Sequence, residues 1–215
     1  MFMTRAELAT TSLSALLAQS AAQDGAHKLV WTLFPKEDAQ RDFLFRASGD
    51  RSYIIVSNRP PEDTHKLWRL ETRPYQPAPS VGDRFGFVLR ANPAMSAKTP
   101  GASRGKRVDA VMHTKRPKSE RTGRPSQDVL DRAALDWLLR RQDRLGVAFD
   151  EERCFASGYK TNRVLRREGA PITFASVDYE GALTVVDPAR FANALAAGIG
   201  KAKAFGCGLL LIRPL

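Results

Sequence analysis

The order of strand and helix signals predicts an α+β protein of two successive β-α-β-β-α-β units with antiparallel sheets. Three observations carry this. The chain has 215 residues, 43% hydrophobic and 27% charged, enough for one large or two small domains with a real core and no covalent staples. Short apolar or alternating runs recur in both halves, separated by Gly and Pro. Each half also holds a stretch with apolar residues at helical spacing among those runs. No repeat is visible at the level of residue identity; the duplication lies in element order.

The first strand runs from Phe2 to about Leu8. A helical region follows, where Ala26, Leu29, Val30 and Leu33 make one buried stripe and Pro35 ends it. His27 lies roughly 100° around the helix from Ala26, beside the stripe. Phe43 to Arg46, Tyr53 to Ser57 and Phe85 to Ala91 read as strands, and the prolines at 74, 77 and 79 make Arg73 to Val81 a loop. Asn92 to about Gly105 is polar and rich in Pro and Gly, so it reads as a linker and mobile loop. Arg107 to Thr114 is a candidate strand. Asp128 to Arg144 reads as a helix, with Arg140, Arg141 and Arg144 at the end where cations suit the dipole. Arg153 to Leu165 and Ile172 to Val186 form a long hairpin with Arg166 to Ala170 at its turn. Asp187 caps a helix that runs to Ala197, with Pro188 in its first position. Cys207 to Arg213 is the last strand. The resulting division is a first domain over 1–94, a linker over 95–105 and a second domain over 106–215.

Charge gives the first functional clue. Lys and Arg number 34 against 23 Asp and Glu, a formal net charge of +11. Such a balance collects polyanions, with nucleic acid ahead of a membrane surface because no long basic amphipathic helix with aromatic anchors is present. The tract from Lys98 to Arg124 is the most basic, with nine Lys or Arg against Asp109 and Glu120. Aromatic content is 8%, without a paired aromatic motif for stacking single-stranded bases, which favours recognition of an RNA stem and its phosphates.

The two cysteines, Cys154 and Cys207, form no CxxC pair, and the three histidines, His27, His65 and His113, are far apart. No metal-ligand spacing results, so no metal and no cofactor is expected. The apolar-leaning stretch from Leu13 to Ala22 is too short to span a bilayer, which makes a cytoplasmic protein the expectation.

The segment from Gly198 to Gly208, GIGKAKAFGCG, is the most distinctive. It is not a Walker A loop, because Ala202 follows Lys201 and the order is helix-loop-strand. It is not a dinucleotide fingerprint, because Lys203 stands where the third glycine belongs. Two readings stay open: a loop that lets phosphates approach the main chain at Gly198, Gly200, Gly206 and Gly208, helped by Lys201 and Lys203, or a helix cap and tight turn into a buried strand.

The whole tail from Gly198 to Leu215, GIGKAKAFGCGLLLIRPL, resembles the C-terminal glycine-rich loop and last strand of the CasE family, the guide-RNA endoribonucleases of type I-E CRISPR systems. Further stretches agree in order: His27 followed by WTLFP at 31–35, RDFLF at 41–45, FVLRANP at 87–93, GKRV at 105–108 and YEGALTVVDP at 179–188. The resemblance covers nearly the whole chain. It implies two tandem ferredoxin-like domains and an RNA stem-loop from the CRISPR repeat, gripped by the basic face of the second. It also implies cleavage at the 3′ base of the stem and a place among the other subunits of Cascade, the protein being a monomer when isolated.

The resemblance makes His27 the catalytic acid-base residue, with Lys28 beside it to steady phosphate charge. Some family members carry a tyrosine three residues before the histidine; here that position is Asp24, which either orients His27 or caps the helix. The RNA grip is expected from Arg90, from Lys106, Arg107, Lys115 and Arg116, from Lys160, Arg163, Arg166 and Arg167 along the hairpin and its turn, and from Lys201 and Lys203. Arg offers bidentate phosphate contacts that Lys does not. Two competing readings are a non-catalytic RNA-binding subunit of the same fold, and an unrelated basic DNA-binding or ribosome-associated module.

Overall fold

In the computed structural model, residues 1–9, 24–35, 41–97, 106–113, 125–165 and 169–215 are described. Strand β1 (Phe2–Leu8) alternates, with Thr4, Ala6 and Leu8 buried on one face. Helix α1 (Asp24–Trp31) covers that face with Leu29 and Val30, and Leu33 and Phe34 continue the stripe in the turn before Pro35. Opposite them lie Phe43 and Phe45 of β2 (Phe43–Ala47), Tyr53 and Ile55 of β3 (Ser52–Ser57) and Trp68 of β4 (Trp68–Pro74). The antiparallel order is β2-β3-β1-β4.

No helix joins β3 to β4. Pro60 and Pro61 lack N–H groups and break any helical ladder. Arg59 is tied to Asp42 at 2.9 Å, and the Asp63 carboxylate accepts the Leu67 and Trp68 N–H groups to launch β4. The first unit therefore has four strands and lacks the second helix of a full β-α-β-β-α-β unit.

The second unit is complete. It comprises β5 (Arg84–Ala91), the paired strands β6 (Ala94–Ala97) and β7 (Lys106–Asp109), and helix α2 (Gln127–Leu139) with a short α3 (Gln142–Leu145). Then follow β8 (Val147–Phe149), β9 (Phe155–Val164), β10 (Ile172–Val185), helix α4 (Pro188–Ala197) and β11 (Leu210–Pro214). The sheet order is β11-β5-β10, with β8 and β9 sharing the far edge of β10. Fourth, first, third and second strands are thus neighbours in both sheets, and every pairing is antiparallel. This is an α+β fold of two ferredoxin-like units.

The expected boundary at residue 94 is corrected. β5 pairs with β10 and β11, so it opens the second unit, and the first unit ends with β4. β4 was hidden in the sequence because only Trp68 is buried; an edge strand carrying Arg69, Glu71 and Arg73 shows no apolar alternation. The expected linker over 95–105 is corrected too. Its first residues belong to β6, which pairs with β7 inside the second unit, while 98–105 lie outside the described residues. The connection between units is the proline-rich stretch 75–83.

The helix expected from Asp128 to Arg144 breaks at Arg140–Arg141. There the Arg141 guanidinium turns back over the Trp137 ring, 3.7 Å from its centroid, and donates to the Trp137 and Ala94 carbonyls. The long hairpin and the Asp187-capped helix are as expected, with the Asp187 carboxylate accepting the Arg190 N–H. The last strand begins at Leu210 rather than Cys207.

Candidate active site and nucleic-acid interface

His27 is half-buried on α1. Its ring lies 5.6 Å from Trp31 and 6.5 Å from Phe45, nearly parallel to the latter. The two aromatics fix one side of the imidazole, because Phe45 is itself buried in the first core. Lys28, one residue on, is exposed.

The glycine-rich loop comes from the other unit and packs against this helix. Its 3-10 turn, Lys203–Phe205, contacts both α1 and β2. Gly198 ends α4 with φ +73, and a Cβ there would sit 2.8 Å from the Leu44 side chain of β2. Gly208, at φ +94, would clash with the Ile199 carbonyl at 2.8 Å. Positions 200 and 206 face Trp137 and Phe45. Protein atoms therefore account for the close approach at all four glycines, and the lysines between them are what the loop presents outward. Phe205 also stacks on Phe174 of β10 at 4.9 Å, so the loop touches the base of the hairpin as well.

Lys201 and Lys203 border a cleft of about 830 Å³. Arg141, Arg144 and Leu145 line it from the α2–α3 end, Arg190, Asn193 and Ala194 from α4, and Ala94, Met95 and Ser96 from β6. Five cations and no carboxylate line it. The Lys203 ammonium donates to the Ala197 carbonyl at 2.5 Å, capping α4. Burial, and then the like charges of Arg41, Lys201 and Arg144, pull the Lys203 ammonium below its ordinary range. An anion entering the cleft relieves that repulsion. Arg190 is balanced by Asp187 at 3.1 Å, whereas Arg144 and Lys201 form no ion pair with the described residues.

The expected RNA-binding residues are not all brought together. Lys201 and Lys203 line the cleft, and β7, which carries Lys106 and Arg107, pairs with β6 at its wall. Lys160 and Arg163 are both exposed on β9, on opposite faces of the hairpin because three residues separate them. Lys115, Arg116, Arg166 and Arg167 lie outside the described residues. Arg90 is elsewhere. Leu89 and Ala91 point into the helix-covered core, so Arg90 points to the opposite face of the sheet, where its Nε and Nη2 embrace Asp178 at 2.9 and 2.7 Å. Sequence reasoning missed Arg41, Arg141, Arg144 and Arg190 as members of one surface. The three arginines closing the helix at 140–144 were visible, but they were explained by the helix dipole alone.

The described residues contain no group of three or more His, Cys, Asp or Glu suited to hold a metal ion. None of their helices is long and apolar enough to cross a membrane.

The sequence profile of the family described as CRISPR associated protein matches residues 1–214. The chain is 33% identical to the CRISPR-associated endoribonuclease Cse3 of Thermus thermophilus over 199 residues, 90% of this chain and 83% of that protein. This chain belongs to the CasE family of CRISPR-associated proteins. The CRISPR system Cascade subunit CasE of Escherichia coli is 29% identical over 195 residues, 88% of this chain and 90% of that one. The structure of Thermus thermophilus Cse3 bound to an RNA representing a pre-cleavage complex superposes with a TM-score of 0.75 at 25% identity, covering 99% of this chain and 98% of that one. CasE membership agrees with the paired ferredoxin-like sheets and with the glycine-rich loop set against α1.

Proposed function

We propose that this chain is a CRISPR RNA endoribonuclease that binds the stem-loop of the repeat, cuts at the 3′ base of the stem and remains with its product as a subunit of Cascade in the cytoplasm. The observation that carries this is a juxtaposition. The one histidine of α1 stands where the first unit meets a lysine-bearing loop of the second, and that loop opens into a cleft lined by five cations.

The chemistry needs no metal. The ribose 2′-oxygen attacks the adjoining phosphorus and loses its proton to a base. The P–O5′ bond breaks, the 5′-oxygen takes up a proton, and a 2′,3′-cyclic phosphate remains. Imidazole suits either proton transfer near neutral pH. His27 holds or delivers the proton, positioned by Phe45 and Trp31. Lys28 and the loop lysines steady the phosphorane charge. Arg141, Arg144 and Arg190 join Lys201 and Lys203 along the phosphates of the stem, with Lys106, Arg107, Lys160 and Arg163 extending the grip on either side.

The test is incubation in excess EDTA with a labelled repeat hairpin and with the same RNA carrying a 2′-deoxy residue at the cut site. Cutting of the first alone is the expected result. Tight binding with neither RNA cut would leave a non-catalytic subunit, and no preference for the hairpin would overturn the reading.

A further inference from the structure

Asp178 lies on β10, on the face turned toward the first unit. It accepts Arg90 of β5 bidentately, and its Oδ1 also accepts the Arg46 Nη2 of β2 at 3.2 Å. One carboxylate therefore ties together the sheets of both units. The strand beside it makes room: the β9–β10 register shifts between Ser176 and Asp178, and Gly158 at φ +65 leaves only 3.7 Å between a would-be Cβ and the Asp178 oxygen.

Both arginines lead to the site. Arg46 follows Phe45, whose ring backs His27 and faces Gly206. The Arg90 carbonyl accepts the Gly208 N–H at 2.7 Å, anchoring the end of the glycine-rich loop. We infer that Asp178 is a positioning residue, which sets the His27-bearing unit in register with the lysine-bearing loop by holding Arg46 and Arg90 on one carboxylate. The inference rests on the nuclease reading above.

The surroundings show why the carboxylate is needed. The Arg46 side chain is 19% exposed and Asp178 33%, while the other Arg46 nitrogen, Nη1, is buried without a hydrogen-bond partner. Removing the charge at 178 leaves two arginines facing each other across the seam, one of them largely buried. The seam then shifts rather than the cores, because Asp178 belongs to neither apolar cluster. Misplacement of a reacting group by about 1 Å costs roughly a hundredfold in rate.

The experiment compares wild type, Asp178→Asn, Arg46→Gln and the double variant. Single-turnover cleavage of the repeat hairpin at saturating protein is measured beside the hairpin Kd. The expected result is cleavage slowed about 10- to 100-fold in each single variant. The Kd stays within about twofold, and the double variant is no slower than the worse single, since both remove one contact. Wild-type cleavage by Asp178→Asn, additive losses in the double variant, or a Kd weakened as much as the rate would overturn the inference. Should Asp178→Asn fail to fold, Arg46→Gln carries the same readouts. A wild-type protein that cuts nothing sinks the nuclease reading instead. Amide hydrogen exchange then decides the bridge: faster exchange over 43–47 and 203–209 in either variant upholds it, and unchanged exchange refutes it.

Discussion

The two units share a strand order and differ in what they add to it. The first is pared down: a proline-blocked connection replaces its second helix, and α1 alone covers its sheet. The second keeps both helices and gains the β6–β7 pair, the elongated β9–β10 hairpin and the glycine-rich loop. The difference divides the labour of the site. The smaller unit contributes the titratable imidazole, held by aromatic packing. The larger one contributes most of the cations, on the helix ends and loops that the extra elements create. A small apolar cluster of Leu44, Val56 and Leu209 and the Asp178 bridge join the units, so neither half of the site is complete alone.

The sharpest way to separate the two roles is His27→Ala. Cleavage is expected to fall by about 10²–10⁴-fold while the hairpin Kd holds within about threefold; equal loss of both, measured by single-turnover kinetics and filter binding, would place His27 in the grip instead. Stability tests whether the units are separate folding bodies. Leu33→Ala in the first core and Leu138→Ala in the second each remove a fully buried side chain and are expected to cost about 2–5 kcal/mol. With a shared seam, both variants lower the midpoint of one urea transition. Two resolved transitions, each moved by only one variant, would show that the seam does not couple them.

On the binding side, Arg144→Ala and Lys201→Ala should each weaken the hairpin complex and reduce the slope of log K against log salt by about one, with the rate at saturation unchanged. A loss at low salt with an unaltered slope would remove them from the phosphate path. The smallest effect concerns the thiols. Cys207 lies buried under the Arg90 strand, and burial pushes its pKa up to about 12; burial raises Cys154 as well. The raised values keep both thiols protonated at pH 8, so iodoacetamide should label neither until denaturant is added. Prompt labelling of Cys207 in the native protein would mean that the glycine-rich loop opens readily.

Local signals carried much of the fold. The alternation of β1, the stripe of α1, the Asp187–Pro188 start of α4 and the long hairpin are all written in neighbouring residues, because burial periodicity and capping act within a few positions. β4 and the β6–β7 pair were not legible. Their pairing partners, not their own composition, make them strands, and charged edge positions erase the period-two pattern. That is also why the unit boundary shifts from residue 94 to the stretch at 75–83.

For the site, the sequence by itself determined the inventory: a basic chain, a histidine beside an apolar stripe, a loop of glycines and lysines, and a family resemblance along the whole length. Only the tertiary structure decided which of these meet. It set the loop against α1 through Leu44 and Phe45, gathered Arg141, Arg144 and Arg190 with the loop lysines around one cleft, and turned Arg90 away to Asp178. The physical reason is range. Propensity and periodicity are properties of consecutive residues, whereas charge convergence and the seam between two sheets depend on contacts between residues scores of positions apart, such as Arg46 and Asp178.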